Sequence, residues 1–231
     1  MRKGEMKKQE IIKTAEALFC RNGYESTGVQ EIIDTLHTSK GSFYHHFISK
    51  EALLEEICRI RVVSTAGKTE EIVHDPGSPL VRINALFSEM IPFTGEKLSF
   101  LLMLLPVFRL PEGIHLRSFY GKVLADYYVG PIASVLEEGR SEGLFSCSNC
   151  ICLAEESLLL VNHLWMKICE IIIEYETAGS VTDPADLLTV IGEYRLSIER
   201  MLCAPYGSID LIRLPELQSL TEQIHLHWKN I

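Results

Sequence analysis

The apolar positions near the start of the chain repeat with the period of an α-helix. Between Lys7 and Arg21 they fall at i, i+1, i+4, i+7 and i+8, which defines one helical face. The pair Asn22-Gly23 is typical of a helix end. A second helix is predicted to begin at Thr27-Gly-Val-Gln30, which has the T-x-x-Q form of a capping box.

Two more helix starts follow closely. Thr38 or Ser39 is expected to cap a third helix that runs to Phe47, and Ser49 is expected to cap a fourth. The short second and third helices, joined by His37-Thr-Ser39, have the spacing of a helix-turn-helix, which presents its second helix to the DNA major groove.

The rest of the chain also shows helical periodicity, without the alternation of a strand. Breaks at Asp75-Pro-Gly-Ser-Pro79, Pro111-Glu-Gly113 and Thr182-Asp-Pro184 separate the predicted segments. Helices are expected over residues 50–73, 79–91, 96–109, 115–141, 153–177, 185–203 and 216–228. The predicted fold class is all-α.

Composition favours a globular protein of the cytoplasm. Of 231 residues, 47% are hydrophobic, which is enough for a large core. The first residues are charged and lack the apolar region of a secretory signal, and charges or proline interrupt both long apolar stretches, so no membrane span is predicted. Seven cysteines, an odd number, indicate reduced thiols rather than a disulfide framework.

Charge is unevenly distributed along the chain. The net charge is −9, but residues 1–50 hold eight basic and six acidic residues and therefore carry +2. The remainder carries −11. A weakly basic start on an acidic body is compatible with a small DNA-binding module whose body is repelled by phosphate.

The sequence over residues 7–57 closely resembles the TetR family of transcriptional regulators. The resemblance rests on Phe19-x-x-x-Gly23-Tyr24, Val29-Gln-Glu-Ile32, Thr38-Ser-Lys-Gly-Ser-Phe-Tyr-His-His-Phe47 and Ser49-Lys-Glu-Ala-Leu-Leu54. It departs from the family pattern at His37, where glycine is usual, and at Gln30, where arginine is frequent. A histidine tolerates a positive φ better than most residues, so the turn can still form.

The resemblance implies a DNA-contacting surface. Its expected members are Thr27, Gln30, Ser39, Lys40, Gly41, Ser42, Tyr44, His45, His46 and Lys50. Gly41 would permit close approach to the groove, and Lys50 would hold a phosphate. The alternative is a surface hairpin in which Lys40 and Lys50 are solvated and the aromatic side chains form core.

The resemblance also implies a domain organisation. Residues 1–48 would form a three-helix DNA-binding domain, residues 49–205 a helical domain for effector binding and dimerisation, and residues 206–231 an additional tail. A local match to the family's seventh helix is Pro131-x-x-x-x-Leu136-Glu-Glu-Gly139-x-x-x-Gly143-x-Phe145. The helices at 153–177 and 185–203, apolar on more than one face, would pair two subunits. The tail, with Leu217, Leu220, Ile224 and Trp228 on one face, would pack on the body or on the partner subunit.

The effector pocket is expected among aromatic and methionine side chains on the body helices. The predicted members are Met90, Phe93, Phe100, Met103, Phe108, Phe119, Tyr120, Tyr127, His163 and Trp165. Such residues are also ordinary core. Arg109, His115 and Arg117, near the break at residue 112, would either pair with an anionic ligand or stay at the surface.

One further motif, Cys147-Ser-Asn-Cys150-Ile-Cys152, gives a second functional hypothesis, a metal- or redox-responsive regulator. The alternative is three reduced thiols in a loop and helix start. No catalytic or nucleotide-binding fingerprint occurs, so neither enzymatic activity nor a cofactor is expected. The sequence therefore predicts a cytoplasmic, homodimeric repressor that binds a pseudo-palindromic double-stranded DNA operator and responds to a small-molecule effector.

Overall fold

The structure is a computed structural model that describes residues 3–90, 96–111, 113–180, 183–212 and 214–229. The described residues form helices and no strand, which confirms the all-α prediction. The helices are α1 (Lys3–Asn22), α2 (Val29–Thr35), α3 (Lys40–His46), α4 (Lys50–Ala66), α5 (Thr69–Val73), α6 (Pro79–Met90), α7 (Glu96–Arg109), α8 (Gly113–Ser141), α9 (Cys150–Thr177), α10 (Pro184–Leu202) and α11 (Leu214–Lys229).

Six of the seven helices predicted beyond the third agree with the structure to within about three residues, the usual uncertainty of helix ends. The exception is the segment 50–73, which is divided into α4 and α5. The hydroxyl of Thr69 donates a 2.7 Å hydrogen bond to the carbonyl oxygen of Ala66, the last residue of α4. Gly67 follows directly and favours termination because of its backbone freedom.

The described chain divides into two compact units. Unit 1 comprises residues 1–63 and 95–120, and unit 2 comprises residues 64–94 and 121–231. In unit 1, α1 packs against α2 and α7, and α2 against α3. The core of unit 1 includes the fully buried side chains Ile11, Phe19, Ile32, Phe43 and Leu53. The boundary predicted between residues 48 and 49 falls inside this unit.

Unit 2 is built around α9, which contacts α10, α6 and α11. The tail helix α11 contacts both α9 and α10 and fully buries Leu217, Leu220 and Ile224. The tail therefore packs on the body of its own chain, one of the two predicted arrangements; the Trp228 side chain lies outside the described atoms. Within the described residues, none of the helices has the length and apolar character required to cross a membrane.

Candidate DNA-binding surface

The helix-turn-helix consists of α2, a four-residue turn and α3. Ser39 caps α3, because its hydroxyl accepts a 3.1 Å hydrogen bond from the amide of Ser42. Of the two predicted caps, Thr38 and Ser39, the second is therefore confirmed. In the turn, His37 has a φ of 47°. The family's usual glycine would adopt this left-handed conformation without strain, so the structure explains the preference for glycine there.

Two aromatic residues of the third helix region fix its orientation. Phe43 is fully buried and Phe47 is 5% exposed, with ring centroids 6.1 Å apart. Nearby, Phe19 and Tyr24 form an edge-to-face pair, with centroids 5.1 Å apart. These contacts turn one face of α3 into the core and leave the opposite face exposed.

The exposed face of α3, here called the α3 face, comprises Ser39, Lys40, Gly41, Tyr44 and His45. The Lys40 ammonium lies 5.9 Å from the centre of the Tyr44 ring. Hydroxyl, ammonium and imidazole groups can all donate hydrogen bonds to phosphates or base edges. Ser42 and His46, also predicted contacts, are half-buried beside this face.

Gly41 leaves the α3 face open. A Cβ atom placed at Gly41 would meet nothing closer than the Ser39 hydroxyl oxygen at 3.9 Å. The fold of the protein therefore does not require glycine at this position.

Two of the predicted contact residues have other roles. The Thr27 side chain is fully buried, and its hydroxyl donates hydrogen bonds to the carbonyl oxygens of Gly23, at 2.8 Å, and Leu18, at 3.4 Å. Thr27 does not cap α2, whose N-cap is Gly28 without a side-chain hydrogen bond, so the predicted capping role is wrong. The DNA contact of Thr27 stays a prediction, and the buried side chain is not available for it. Gln30 is exposed and donates a 2.8 Å hydrogen bond to Asp34.

Lys50 is engaged by the protein itself. Its ammonium donates hydrogen bonds to the carbonyl oxygens of Tyr24, at 3.0 Å, and Thr27, at 3.3 Å, and lies 4.1 Å from the centre of the Tyr24 ring. Burial, followed by the nearby Glu51 carboxylate, raises the pKa of Tyr24 above its usual range. Lys50 thus ties the start of α4 to the loop between α1 and α2, which the sequence pattern did not predict. Its phosphate contact stays a prediction.

Ion pairs connect α1 with α4. Lys8 lies 2.7 Å from Glu56, and Arg61 pairs with Glu16. Hydrogen bonding from Arg59 and then from Lys8, opposed by partial burial, lowers the pKa of Glu56 to about 2. These pairs hold α1 against the helix that follows the DNA-binding module.

The predicted effector residues have mixed environments. Phe93 lies outside the described residues. Met90, Phe100, Met103, Phe108, Tyr120 and Trp165 are buried, and Phe119 is half-buried. Tyr127 is 38% exposed, whereas His163 is exposed and hydrogen-bonds to Tyr194. Their role as a pocket stays a prediction.

A cavity of about 370 Å³ lies within unit 1 and is lined by none of the predicted effector residues. Its walls combine residues of the loop between α1 and α2, of α4 and of the segment 107–116: Tyr24, Glu25, Lys50, Glu51, Leu54, Glu55, Val107, Leu110, Gly113, His115 and Leu116. No sequence signal joins segments so far apart. His115 lies 3.1 Å from Glu55, so it pairs with an acid of the protein. Arg117 is half-buried, and the Arg109 side chain lies outside the described atoms.

The apolar surfaces of α9 and α10 are largely covered within the chain. Ten apolar residues of these helices are buried, because α6 and α11 also pack on α9. They are Leu158, Val161, Leu164, Trp165, Ile168, Ile172, Leu187, Ile191, Ile198 and Leu202. Leu159 and Leu188 stay 64% and 38% exposed. The sequence pattern assigned the extra apolar faces of α9 and α10 to the pairing of two subunits. Packing inside the chain accounts for most of these apolar residues.

The cysteine motif lies at the start of α9. The sulfur atoms of Cys147 and Cys150 are 2.9 Å apart, while Cys152 is exposed. Among the described residues, no group of three or more Cys, His, Asp or Glu side chains is arranged to hold a metal ion.

Comparison with known proteins places the first part of the chain in a family. Residues 11–57 match the family described as bacterial regulatory proteins, tetR family. Over 120 residues the chain is 34% identical to the uncharacterized HTH-type transcriptional regulator YerO of Bacillus subtilis, covering 51% of this chain and 41% of that protein. Over 81 residues it is 33% identical to the HTH-type transcriptional repressor KstR2 of Mycolicibacterium smegmatis, covering 35% of this chain and 40% of that one. The matched regions thus span about two fifths of these relatives' lengths.

The fold also matches solved structures. The transcriptional regulator FadR from Bacillus subtilis, in complex with stearoyl-CoA, superposes with a TM-score of 0.57 at 16% identity, over 86% of this chain and 99% of that chain. At this identity the likeness concerns the fold alone. The helix-turn-helix geometry and the match over residues 11–57 identify the first part of the chain as a TetR-family DNA-binding region and support a TetR-family regulator.

Proposed function

We propose that the protein is a DNA-binding transcriptional repressor. The observation that carries the proposal is the α3 face, where five polar or small residues are exposed over a helix fixed by buried Phe43. The Lys40 ammonium is exposed beside the Tyr44 ring, 5.9 Å from its centre. An exposed set of donors on a rigid helix suits contact with phosphates and base edges in the major groove.

Repression is proposed by analogy with KstR2, which is named a transcriptional repressor. A protein that occupies an operator blocks access to the DNA it covers. The α3 face of one chain is small, so tight binding requires two copies on two half-sites. We propose that the copies pair through α9 and α10, where Leu159 and Leu188 remain exposed.

The proposed effector site is the cavity in unit 1. Four of its walls are apolar, namely Leu54, Val107, Leu110 and Leu116, and three carboxylates, Glu25, Glu51 and Glu55, lie at its edges. Because Lys50 is directed to backbone carbonyls and His115 to Glu55, this surface favours a lipophilic cation. Such a ligand would contact Tyr24 and Lys50, which hold the loop before α2, and would thereby alter the α3 face.

The DNA-binding proposal is tested by a salt titration of affinity. Genomic fragments retained by the protein would supply the probe, and fluorescence anisotropy would measure the dissociation constant over a range of salt. Lys40→Ala is expected to weaken binding and reduce the slope of log K against log salt by about 1, since one phosphate contact is lost. Lys122→Ala, which removes an exposed lysine on α8, is the matched control and should change neither quantity. If the wild type, Lys40→Ala and Lys122→Ala all show the same slope of log K against log salt, the phosphate contact assigned to Lys40 is wrong.

The effector proposal is tested with two probes of equal size and opposite charge. Tetraphenylphosphonium is expected to weaken DNA binding, whereas tetraphenylborate is not. Leu116→Trp, which fills part of the cavity, should abolish the response while DNA affinity without probe is retained. A response to both probes, or an unchanged response in Leu116→Trp, would contradict the site.

A further inference from the structure

Cys147, in the segment between α8 and α9, and Cys150, the first residue of α9, lie at fixed positions. Leu144 and Phe145 donate backbone hydrogen bonds to the carbonyl oxygen of Gly139, at 2.8 and 3.2 Å, and Phe145 is 4% exposed. The amide of Ser146 donates a 3.1 Å hydrogen bond to the carbonyl oxygen of Leu202, at the end of α10. Cys147 therefore follows a well-held stretch of chain.

The start of α9 is held equally well on the other side of the motif. The Asn149 side chain accepts hydrogen bonds from the amides of Ile151, at 3.0 Å, and Cys152, at 3.1 Å. This is an N-cap arrangement, and it sets the orientation of Cys150, the first residue of the helix. Both cysteines are thus attached to ordered backbone.

The two thiols are in direct contact. Their sulfur atoms lie 2.9 Å apart, and a covalent disulfide has a sulfur–sulfur length of about 2.0 Å. A shift of less than an ångström, available to side-chain rotation, would bring the sulfurs to bonding distance. The other thiol of the motif, Cys152, is exposed, and the described part of the chain brings no three metal-ligating side chains together in an arrangement that could hold a metal ion.

The environments of the two thiols differ. Cys147 is half-buried, whereas Cys150 is 6% exposed. Burial, then hydrogen bonding with Cys147 and with the Glu137 carboxylate, raises the pKa of Cys150 to about 12. Cys147 is therefore the thiol that solvent reagents reach first, and Cys150 reacts only once Cys147 has been modified.

We propose that Cys147 and Cys150 form a redox-active dithiol whose substrate is a low-molecular-weight disulfide. The Cys147 thiolate attacks one sulfur of the reagent, the reagent's sulfur–sulfur bond breaks, and the released thiolate takes up a proton as a free thiol. Cys150 loses its proton to solvent and attacks the Cys147 sulfur, the mixed disulfide breaks, and the second reagent thiolate leaves and takes up a proton. The two protein thiols are oxidised to one disulfide, and one reagent disulfide is reduced to two thiols. This inference does not depend on DNA binding.

The proposal is tested by mass spectrometry of the full chain. After incubation with oxidised glutathione and acid quenching, the wild type should contain an internal disulfide between Cys147 and Cys150, with a loss of about 2 Da in the peptide pair. Dithiothreitol should reverse the change. Cys152→Ser and Cys203→Ser, which alter exposed thiols, are the matched controls and should form the same bond.

The variants at the motif distinguish the two thiols. Cys150→Ser should accumulate a glutathione adduct on Cys147, a gain of about 305 Da, because the resolving thiol is missing. Circular dichroism would show whether serine at the buried position impairs folding. In that case Cys150→Ala replaces Cys150→Ser, and the same glutathione adduct is expected. Absence of the internal disulfide in the wild type, or a bond that links Cys147 to Cys152 instead, would overturn the proposal.

Discussion

Gly41 is a residue whose small size the fold does not require and the proposed DNA contact would explain. An added Cβ would meet only the Ser39 hydroxyl oxygen, at 3.9 Å. Gly41→Ala is therefore expected to keep or raise the free energy of unfolding, by up to about 1 kcal/mol, because alanine is the better helix former. The same change should weaken DNA binding, since the methyl group stands where the groove approaches.

The control for Gly41→Ala is Gly130→Ala, at a helical glycine of α8 that also has open space around it. Urea unfolding and anisotropy would be measured on both variants. A comparable gain in stability with unchanged DNA binding is expected for Gly130→Ala. If Gly41→Ala binds DNA as the wild type does, close approach at this position is refuted.

Lys50 illustrates a residue with a structural and a predicted binding role. Its ammonium donates to two carbonyl oxygens of the preceding loop, so Lys50→Met is expected to lower the free energy of unfolding by about 1–3 kcal/mol. Urea unfolding measures this change, with Lys122→Met as the exposed control. A stability equal to that of the wild type would mean that these hydrogen bonds contribute nothing.

The sequence patterns located candidate helix caps but did not reveal the surroundings of each side chain. Ser39 and Thr27 both precede short helices in capping sequences, yet Ser39 caps α3 and Thr27 is buried. The difference arises because the Thr27 hydroxyl is within reach of the carbonyl oxygens of Leu18 and Gly23, groups of another element. The capping pattern itself does not tell whether the hydroxyl turns forward to the next helix or back to the preceding one.

At the scale of elements, charged pairs between α1 and α4 make unit 1 sensitive to acid. Hydrogen bonds from Arg59 and Lys8 depress the pKa of Glu56 from 4.5 to about 2. A depressed pKa stabilises the fold above the unfolded value, and this stabilisation is lost as the pH falls from about 4.5 toward 2. Glu56→Gln should therefore unfold at lower urea than the wild type near neutral pH.

The difference between Glu56→Gln and the wild type should narrow progressively below pH 4.5, the ordinary value for this carboxyl group. Urea midpoints at a series of pH values would measure it. Glu70→Gln, at an exposed carboxylate on α5, provides the control. A difference that stays constant with pH would exclude Glu56 as the titrating group.

The turn between α2 and α3 stores a small amount of strain at His37, whose φ is 47°. His37→Gly is expected to raise the free energy of unfolding by up to about 1 kcal/mol, because relief of the left-handed strain exceeds the entropy that glycine adds to the unfolded chain. Chemical denaturation would show the shift. A loss of stability on this substitution would mean that the imidazole makes a compensating contact.

Helix positions were largely predictable, because apolar periodicity and break residues act locally. The prediction of one helix over 50–73 was wrong because the end of α4 depends on the Thr69 hydroxyl and Gly67 rather than on periodicity. The cavity in unit 1 was not predictable, since its walls come from three separate segments, at residues 24–25, 50–55 and 107–116, that only the fold brings together.

At the scale of the whole molecule, one copy of the chain brings little positive charge to DNA, because the first fifty residues are weakly basic and the body is acidic. Pairing two copies would double that positive charge at the DNA. Leu159→Glu, at a side chain that is 64% exposed, is expected to leave the chain folded but to shift sedimentation from dimer to monomer and weaken DNA binding.

Leu226→Glu is the matched control, because Leu226 on α11 is 60% exposed. Its sedimentation and DNA affinity should equal those of the wild type. A dimer that survives Leu159→Glu would place the interface elsewhere than on this face of α9.

The most direct test of the central claim is a footprint of the protein on genomic fragments that it retains. Two copies of the α3 face should protect two symmetric half-sites on one side of the duplex, with centres about 34 Å or a multiple of that distance apart. The protection should weaken in Lys40→Ala at the same salt concentration. Absence of a defined site, or a footprint unchanged by substitution on the α3 face, would contradict the assignment of this surface to DNA.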